Sequence, residues 1–591
     1  MRPNTGLRHV LLICLAVSLP ILSGCSGGAY ERTDKPSSDW SRGLLLGEGN
    51  IRQSVALAVD ANGLVHIAWI EPLPERPEGI HYVQINQRGQ VEVDRALSID
   101  LPFPRQPRFL VGHGNERWLV LLSRSNGVQG LYLVPFDATG QAGAPARLSD
   151  PGEEVAGFRV YLSLTGDTTV IWDGRPETGR AGIYRGLLQD GTLASRSLLV
   201  PEGIDPAVLL DADGTVHLTW LDRTGYSVRD LRYATLVGTR LDPPGGVRLT
   251  TFEYAESAAY RGPVMGSDSE RIYVLWSVQN MGGGLTPTSA STYYVSFEKG
   301  EPTALGARTL ALPPNLRPDY ADHASPYGYT KLAPPAVTGT DFVNAPDTVH
   351  GLRTELPFSV SLMLESASKN FMQLAMVVLS DGAPVGYQLI NNTPNASVLS
   401  TLVADADGHL HLAWLDVAGF ARYKVYYATT APEARDWLDR TTAADIAQRA
   451  AGLAFGVVSG LGIAFLSLTW NVLPVLTIIL FYFIGRQERL DLLTPKIGLG
   501  LAVVLYVATK AYFIPGLLTA GTPFLYAVPP GARTLLMAAV PTLVLLLALA
   551  SICVYVRRNE EPTLFKAYLF FALTDGLLTA ALYGPRFFST R

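Results

Sequence analysis

The stretch Asp60-Ala-Asn-Gly-Leu-Val-His-Ile-Ala-Trp69 decides the fold of most of this 591-residue chain, because it recurs. Its best copies are Asp211-Ala-Asp-Gly-Thr-Val-His-Leu-Thr-Trp220 and Asp405-Ala-Asp-Gly-His-Leu-His-Leu-Ala-Trp414. Each copy places an Asp/Asn-Gly turn before a run in which apolar residues alternate with a period of two, which is the pattern of a β-hairpin. A repeat of this kind indicates an array of similar small sheets.

Weaker copies bring the number of units to seven, with second strands predicted at 117–122, 168–172, 271–276 and 357–364. A further pair of strands follows each second strand, so a unit has four strands, as a propeller blade does. We therefore predict an all-β, seven-bladed β-propeller over 42–431. Six or eight blades are alternatives, because an insertion at about 312–349 hides one boundary. Residues 43–47 are expected to supply the outermost strand of the seventh blade and so remove two open sheet edges.

The pattern Asp-x-Asp-Gly-x-x-His-Leu-x-Trp resembles the repeats of bacterial β-propeller lipoproteins and, distantly, the Asp-box of sialidases. The resemblance covers the repeats and implies the fold, not an activity. We interpret Asp211 and Asp213 as turn caps, since a calcium site needs about six to eight oxygen ligands. A repeated packing or hydrogen-bonding role is expected for the histidines His66, His217 and His411. The recurring tryptophans are expected in the core between blades: Trp69, Trp220, Trp276 and Trp414.

The N-terminus has the features of a secretory signal. Arg2 and Arg8 precede an apolar run over 10–21 that is too short to span a bilayer comfortably. The junction Leu22-Ser-Gly-Cys25 resembles a bacterial lipobox, which implies cleavage before Cys25 and acylation of its sulfur. We therefore predict a lipoprotein signal peptide over 1–24 and a flexible tether over 25–41. The alternative is an ordinary signal peptide with a chance cysteine.

The C-terminal part of the chain has a different composition. Residues 441–591 carry 11 Lys and Arg against 6 Asp and Glu, while the residues before them carry 36 against 46. Long uncharged runs predict an all-α transmembrane bundle over 450–591, following a juxtamembrane helix over 432–449. The predicted spans are 450–485, 497–514, 534–556 and 567–583. The first of these is long enough to be one kinked span, and a hairpin of two short spans is the alternative.

Loop charges predict the orientation of these spans. Basic residues follow the first and the third span: Arg486, Arg489, Lys496, Arg557, Arg558 and Lys566. The positive-inside rule places both loops in the cytoplasm and hence the propeller outside, on the side where a lipidated Cys25 also lies. The sequence thus predicts a protein of the cytoplasmic (inner) membrane with its propeller on the extracellular or periplasmic side.

Two features of the predicted spans concern contacts within the membrane. Lys510 and Asp575 are charged residues well inside spans, so we expect them to pair with each other or to line a polar path. Lys510 could instead snorkel to the outer surface. A face of small residues lets another helix approach closely, in this chain or in a partner: Gly452, Gly456, Gly460 and Ala464.

The insertion at about 312–349 is the least repetitive part of the propeller, and long inserts on rigid scaffolds often carry function. It combines aromatic and polar side chains suited to a sugar, peptide or protein partner: Asp319, Tyr320, Asp322, His323, Tyr327 and Tyr329. The alternative is a structural loop that covers one blade or the mouth of the propeller.

No catalytic signature accompanies these features. The sequence has no His-Glu-x-x-His, phosphate-binding loop, Gly-x-Ser-x-Gly or Cys-x-x-Cys motif. We therefore predict no catalytic residue, metal or cofactor, and the charge balance excludes a nucleic-acid partner. The predicted function is that of a membrane-anchored receptor or scaffold for an extracytoplasmic glycan or protein. The alternatives are a propeller hydrolase of surface glycan or peptide, and an accessory subunit of a membrane transport or assembly complex.

Overall fold

The computed structural model describes residues 33, 36–50, 53–73, 76–112, 114–137, 139–189, 191–255, 258–280, 289–312, 343–349, 355–365, 370–443, 445–447, 469–484, 488–513 and 530–588. The chain divides into two compact units, one of residues 30–440 and one of residues 1–29 with 441–591.

The first unit contains seven four-stranded antiparallel sheets. Blade 1 has β2 (Ala56–Val59), β3 (Val65–Leu73), β4 (Arg76–Ile85) and β5 (Val91–Leu97). Blade 2 has β6 (Pro104–Val111), β7 (Arg117–Ser125), β8 (Val128–Phe136) and β9 (Ala146–Arg147). Blade 3 has β10 (Glu154–Leu162), β11 (Thr168–Arg175), β12 (Gly182–Gln189) and β13 (Thr192–Pro201). Blade 4 has β14 (Ile204–Leu210), β15 (Val216–Arg223), β16 (Val228–Val237) and β17 (Arg240–Glu253).

The remaining blades close the ring. Blade 5 has β18 (Ala258–Ser267), β19 (Arg271–Asn280), β20 (Ser289–Glu298) and β21 (Arg308–Thr309). Blade 6 has β22 (Val343–Thr348), β23 (Leu356–Glu365), β24 (Asn370–Ser380) and β25 (Ala383–Leu389). Blade 7 combines β26 (Ser397–Ala404), β27 (Leu410–Gly419) and β28 (Arg422–Thr429) with the N-terminal strand β1 (Leu44–Gly49). The predicted seven-bladed propeller, followed by a helical region, is confirmed, and six or eight blades are excluded.

The recurring Asp, His and Tyr side chains tie the first three strands of a blade together. Asp60 accepts the backbone N–H groups of Asn62 and Leu64 at 2.9 Å each, which holds the tight turn before β3. His66 Nε2 lies 3.3 Å from the same carboxylate, and its Nδ1 lies 2.8 Å from the Tyr82 hydroxyl on β4. Because a carboxylate only accepts, the Nε2 atom donates to Asp60.

The same arrangement returns in two more blades with one variation. In blade 7, His411 lies 2.7 Å from the hydroxyl of Tyr427 and 3.2 Å from Asp405. In blade 4, His217 contacts Tyr233 at 2.7 Å. Its Nε2 lies 3.7 Å from Asp211, whose carboxylate instead binds Lys299 Nζ at 2.8 Å.

The innermost strand is irregular in six of the seven blades. Its register to the second strand shifts within β6, β10, β14, β18, β22 and β26. Four of these bulges contain a proline: Pro107, Pro206, Pro263 and Pro346. Proline has no N–H to donate, so it fits an edge strand, and bulges re-aim the side chains beside them. Gln106 and Asp205 have φ of 49° and 50°, a region that costs a non-glycine residue about 1–3 kcal/mol.

Large aromatic residues fill the interior between blades. The most deeply buried tryptophans are Trp40, Trp172, Trp220, Trp276 and Trp414. Helix α1 (Pro432–Leu438) also packs on this unit, because Leu438 is buried in the apolar cluster formed by blades 1 and 7. Of the helix predicted over 432–449, residues 432–438 form α1 on the propeller unit, which ends at Arg440, whereas the helical residues 443 and 445–447 belong to the second unit.

The second unit is helical. Its described helices are α2 (Thr469–Ile484), α3 (Leu493–Phe513), α4 (Pro530–Arg558) and α5 (Leu564–Phe588). Two stretches are long and apolar enough to cross a membrane, Leu493–Phe513 and Ala538–Arg558, whereas Thr469–Ile484 is apolar but shorter. The prediction of four spans stays a prediction.

The loops before α3 and α5 lie side by side. Leu490 N–H donates to the Pro562 carbonyl and Leu564 N–H to the Glu488 carbonyl, each at 2.9 Å. Arg489 also lies 2.9 Å from Glu561. The two loops to which the basic residues belong are therefore at the same end of the helical unit.

Closure of the ring depends on a glycine in β1. A Cβ added at Gly47 would lie 2.6 Å from Cζ2 of Trp69 on β3. We expect Gly47→Ala to lower the free energy of unfolding of the propeller by about 1–3 kcal/mol, since overpacking forces neighbours off their preferred positions. The measurement is the urea midpoint of tryptophan fluorescence for the full-length protein. Gly306→Ala is the matched control, because nothing lies within 4 Å of a Cβ there, and equal midpoints for both variants would contradict the prediction.

Candidate functional site

The central channel of the propeller is lined by the first strand of every blade. These strands contact one another in ring order, β2, β6, β10, β14, β18, β22, β26 and again β2. Because each first strand is the inner edge of its sheet, side chains that are distant in sequence meet across the channel.

Charged and phenolic side chains from five consecutive blades converge there. The group, which we name the channel cluster, consists of Arg108 on β6, Arg159 on β10, Asp205 on β14, Tyr260 on β18 and Asp347 on β22. Arg159 lies within electrostatic reach of the other four residues. Arg108, Arg159, Tyr260 and Asp347 are half-buried and Asp205 is exposed, so the cluster keeps access to solvent.

Most polar atoms of the channel cluster have no hydrogen-bond partner within the cluster. Within the described residues, neither Arg108 nor Arg159 lies within 4.0 Å of a carboxylate, and the Arg159 guanidinium donates only to the Phe158 carbonyl at 2.9 Å. The Tyr260 hydroxyl is buried and has no hydrogen-bond partner among them. Asp347 accepts the Leu402 backbone N–H at 2.8 Å. Buried polar groups are usually paired, so a cluster of this kind is typical of a ligand site.

The pKa values in the channel shift in the directions expected for desolvated charges that neighbouring charges compensate only in part. Burial lowers the pKa of Arg159 to about 10, and the like charge of Arg108 adds to the effect. Asp205 keeps access to solvent, but the surrounding channel wall desolvates its carboxylate in part and so raises its pKa. Desolvation likewise raises the pKa of Asp347, and the nearby arginines only partly oppose both shifts. Burial also raises the pKa of Asp173 to about 6, helped by the charge of Asp205, whose backbone N–H donates to it.

A cleft of about 400 Å³ opens at the start of β6, next to the bulge that precedes Arg108. Its lining combines amide, guanidinium and aromatic groups: Gln53, Phe103, Arg105, Gln106, Arg124 and Gln129. Arg105 is held by an ion pair with Glu78, whereas 48% of Phe103 is exposed. Exposed hydrogen-bond donors around a phenyl ring suit a hydroxyl-rich ligand.

One group of metal-competent side chains occurs among the described residues. Ligand atoms of Asp405, Asp407 and His409 lie within 4.8 Å of one another. The Asp405 carboxylate is already engaged, since it accepts the backbone N–H of His409 at 2.8 Å and faces the rings of His409 and His411 at 3.1 and 3.2 Å. These contacts are those of a turn cap, so the residues present fit a metal poorly.

The structure brings two residues singled out from the sequence into contact in the helical unit. Lys510 Nζ on α3 lies 2.5 Å from Oδ2 of Asp575 on α5 and 2.7 Å from the Thr579 hydroxyl. The Tyr506 hydroxyl donates to the same carboxylate at 2.7 Å. Both charged side chains are buried, at 14% and 3% exposure, so each depends on the other for compensation.

The other predicted site residues lie outside the described residues. They are the lipidation residue Cys25, the helix-packing face Gly452, Gly456, Gly460 and Ala464, and the insertion residues Asp319, Tyr320, Asp322, His323, Tyr327 and Tyr329. Their predicted roles stay predictions.

Sequence reasoning missed the channel cluster, although a signal for it exists. Pro107, Pro206 and Pro263 each lie five residues before the first residue of the turn that precedes the second strand: Gly112, Asp211 and Asp268. An X-Pro pair at a fixed distance before a repeated turn marks a bulged inner strand. The residues flanking these prolines include Arg108 and Asp205, which face the channel.

Comparisons with known proteins concern the propeller architecture. A scan against protein-family models and a search of curated proteins both match nothing. Among solved structures, an ulvan lyase of polysaccharide lyase family PL25 is 10% identical over 64% of this chain and 94% of its own, with a TM-score of 0.41. The BP39L lectin from Burkholderia pseudomallei is 13% identical over 62% and 97%, with a TM-score of 0.35. An α-L-arabinofuranosidase from Fusarium graminearum is 12% identical over 56% and 96%, with a TM-score of 0.33. No ligand or activity of this chain follows from these similarities.

The buried ion pair of the helical unit leads to a prediction about its stability. We expect Lys510→Met and Asp575→Asn each to destabilise the unit by about 3–5 kcal/mol, because each leaves an uncompensated buried group. The double variant should recover a large part of that loss. The measurement is a double-mutant cycle on the full-length protein in detergent, with thermal unfolding of the helices followed by circular dichroism. Additive effects of the two substitutions would contradict a direct pair.

Proposed function

We propose that this protein is a membrane-anchored propeller that binds an anionic saccharide in its central channel, outside the cytoplasm. The observation that carries the proposal is the channel cluster, in which two arginines lack a carboxylate partner within the described residues. Two like charges in a confined channel repel each other and are costly to desolvate. A ligand carboxylate or sulfate bound between the two guanidinium groups would reduce their mutual repulsion and accept hydrogen bonds from both.

The remaining groups support a sugar as the carrier of that charge. The Tyr260 hydroxyl has an unused hydrogen bond, and the exposed Asp205 offers a carboxylate acceptor for hydroxyl groups. The cleft at the start of β6, next to the bulge that precedes Arg108, adds Gln53, Gln106 and the ring of Phe103. Alternating donors, acceptors and an apolar ring are what a chain of hydroxylated rings requires. A protein partner held by the insertion residues stays a separate prediction.

Hydrolysis is a second candidate function, and one observation favours it. Asp173, with a pKa raised to about 6, accepts a hydrogen bond from the backbone of Asp205, whose own side chain is exposed to solvent. Two carboxyl groups in different environments can serve as acid and base in glycoside hydrolysis. Asp173 itself is almost fully buried, at 3% exposure, so it would act on a ligand only through Asp205.

The decisive experiment replaces one arginine of the channel cluster. The full-length protein in lipid nanodiscs is titrated with uronate-bearing, sulfated and neutral oligosaccharides by calorimetry. We expect Arg159→Met to weaken binding of the anionic ligand at least tenfold, since a hydrogen bond to a charged group contributes about 1.5–3 kcal/mol. Arg159→Lys should retain part of the affinity.

Arg240→Met is the matched control, because Arg240 is exposed on an outer strand. Anionic ligand bound equally well by wild type and by Arg159→Met, or no anionic oligosaccharide bound by the wild type, would refute the channel site. Reducing sugar released during the titration, and lost in Asp205→Asn, would identify the protein as a hydrolase.

We propose further that Cys25 is acylated and that the helical unit adds membrane spans to this anchor. The side-by-side position of the loops before α3 and α5 supports placing both on the cytoplasmic side, where their basic residues belong. We expect Cys25→Ala to abolish incorporation of labelled fatty acid but to leave the protein in the membrane fraction. Retained label in this variant would rule out the lipoprotein interpretation, and release into the soluble fraction would rule out anchoring by the helices.

A further inference from the structure

The repeated Asp–His pair occurs in blades 1, 4 and 7, whereas the second strands of blades 2, 3, 5 and 6 carry no histidine. In blades 1, 4 and 7, the residue whose N–H donates to the carbonyl four positions later is Asp60, Asp211 or Asp405, and a histidine follows it at the sixth position. In blade 2 the same turn hydrogen bond begins at Gly112, and the sixth position is Trp118. In blade 3 it begins at Ser163, and the sixth position is Thr169.

A cleft lies between blades 2 and 3, and Trp118 is part of its lining. Its volume is about 440 Å³, within the range of small-ligand sites. The equivalent histidines are buried to 4% exposure or less, whereas the Trp118 ring is only half-buried and lines the cleft. Gly112 leaves the room for that ring, since a Cβ there would lie 3.1 Å from its Cζ3 atom and 2.5 Å from Glu116 Oε2.

The lining of this cleft combines carboxylate and amide groups with an indole ring. Glu116, Asp167 and Gln189 are exposed around the indole ring, and glycines along the wall let a ligand approach the backbone closely. The Glu116 side chain is held in position, because its carboxylate accepts the Gly114 N–H at 3.0 Å. No Lys or Arg occurs among the described lining residues.

We propose that this cleft, the Trp118 cleft, binds a neutral pyranose ring. The apolar C–H face of a pyranose can pack on the indole, while its hydroxyl groups donate to the two carboxylates and accept from the Gln189 amide. The carboxylates repel an acidic sugar, so the Trp118 cleft and the arginine-bearing channel select different residues of a saccharide.

The Trp118 cleft is separate from the channel site. It lies beyond the C-terminal end of β6, at Gly112 and Gly114, whereas the cleft next to the channel cluster lies at the other end of that strand, at Phe103 and Arg105. The two sites can therefore be tested independently, and failure of the channel proposal leaves this one unaffected.

The test uses the full-length protein in lipid nanodiscs and neutral gluco-, manno- and galacto-oligosaccharides, with binding measured by calorimetry and tryptophan fluorescence. We expect the wild type to bind at least one of them and Trp118→Ala to weaken that binding about tenfold or more. Gln189→Ala should weaken it about threefold to tenfold, the range of one neutral hydrogen bond. Val237→Ala, at an exposed apolar residue that ends β16, is the control that should leave affinity unchanged.

Each outcome decides the proposal. No neutral oligosaccharide bound by the wild type overturns it, as does an unchanged affinity in both Trp118→Ala and Gln189→Ala. If Trp118→Ala fails to fold, Gln189→Ala alone decides, because its side chain is exposed and packs against no core. Arg159→Met should bind the neutral sugar as the wild type does, and a joint loss would assign both ligands to the channel instead.

Discussion

The propeller depends on the pairing of its first strand with its last. β1 forms an antiparallel pair with β28, from Leu44 opposite Tyr427 to Gly49 opposite Tyr423. Without β1, blade 7 would keep only three strands, and the backbone groups along the outer edge of β28 would be unpaired. The tryptophans that pack against β1 would also become more exposed to solvent. Trp69 of blade 1 packs against Gly47, and its Nε1 donates to the Glu48 carbonyl at 3.1 Å, so closure also joins blade 1 to blade 7.

Closure creates the channel and thereby the candidate site. Seven inner strands can face one another only when the ring is complete, and the bulges then set the direction of their side chains. The backbone at Gln106 and Asp205 is held in an unfavourable region, which the surrounding blades must stabilise. Strain of this kind, next to arginines without carboxylate partners, is typical of a site shaped for a ligand rather than for stability.

The polar side chains of the repeat and those of the channel have opposite roles. In blades 1 and 7, the Asp, His and Tyr groups satisfy one another within about hydrogen-bond distance, so they stabilise the turn and the sheet. Blades 2 and 3 lack this arrangement, and the Trp118 cleft lies between them. The helical unit resembles the repeat in that its buried polar groups satisfy one another. Lys510 and Asp575 compensate each other's charge, Tyr506 donates to Asp575, and Thr579 contacts Lys510.

The sequence by itself predicted the hairpins, the closing strand and seven blades, while six or eight blades stayed open until the structure was known. These follow from local rules: an Asp-x-Asn/Asp-Gly turn needs only neighbouring residues, and alternation with a period of two reports which face of a strand is buried. The second strand at 357–364, predicted from the weakest copy, lies within β23 (Leu356–Glu365) for the same reason. Lys510 and Asp575 were singled out because a charge inside an apolar run is visible without a structure.

Only the tertiary structure decided which side chains meet in the channel. Arg108, Arg159 and Asp347 belong to blades 2, 3 and 6. The repeat relates the two arginines, each four residues before its turn, but it does not show that Asp347 faces them, because each blade rotates its inner strand about a common axis. The Trp118 cleft depends on the tertiary structure in the same way, since blades 2 and 3 together supply its lining. The sequence identifies the residues of each repeat, whereas the closed ring determines which side chains the non-repeated residues contact.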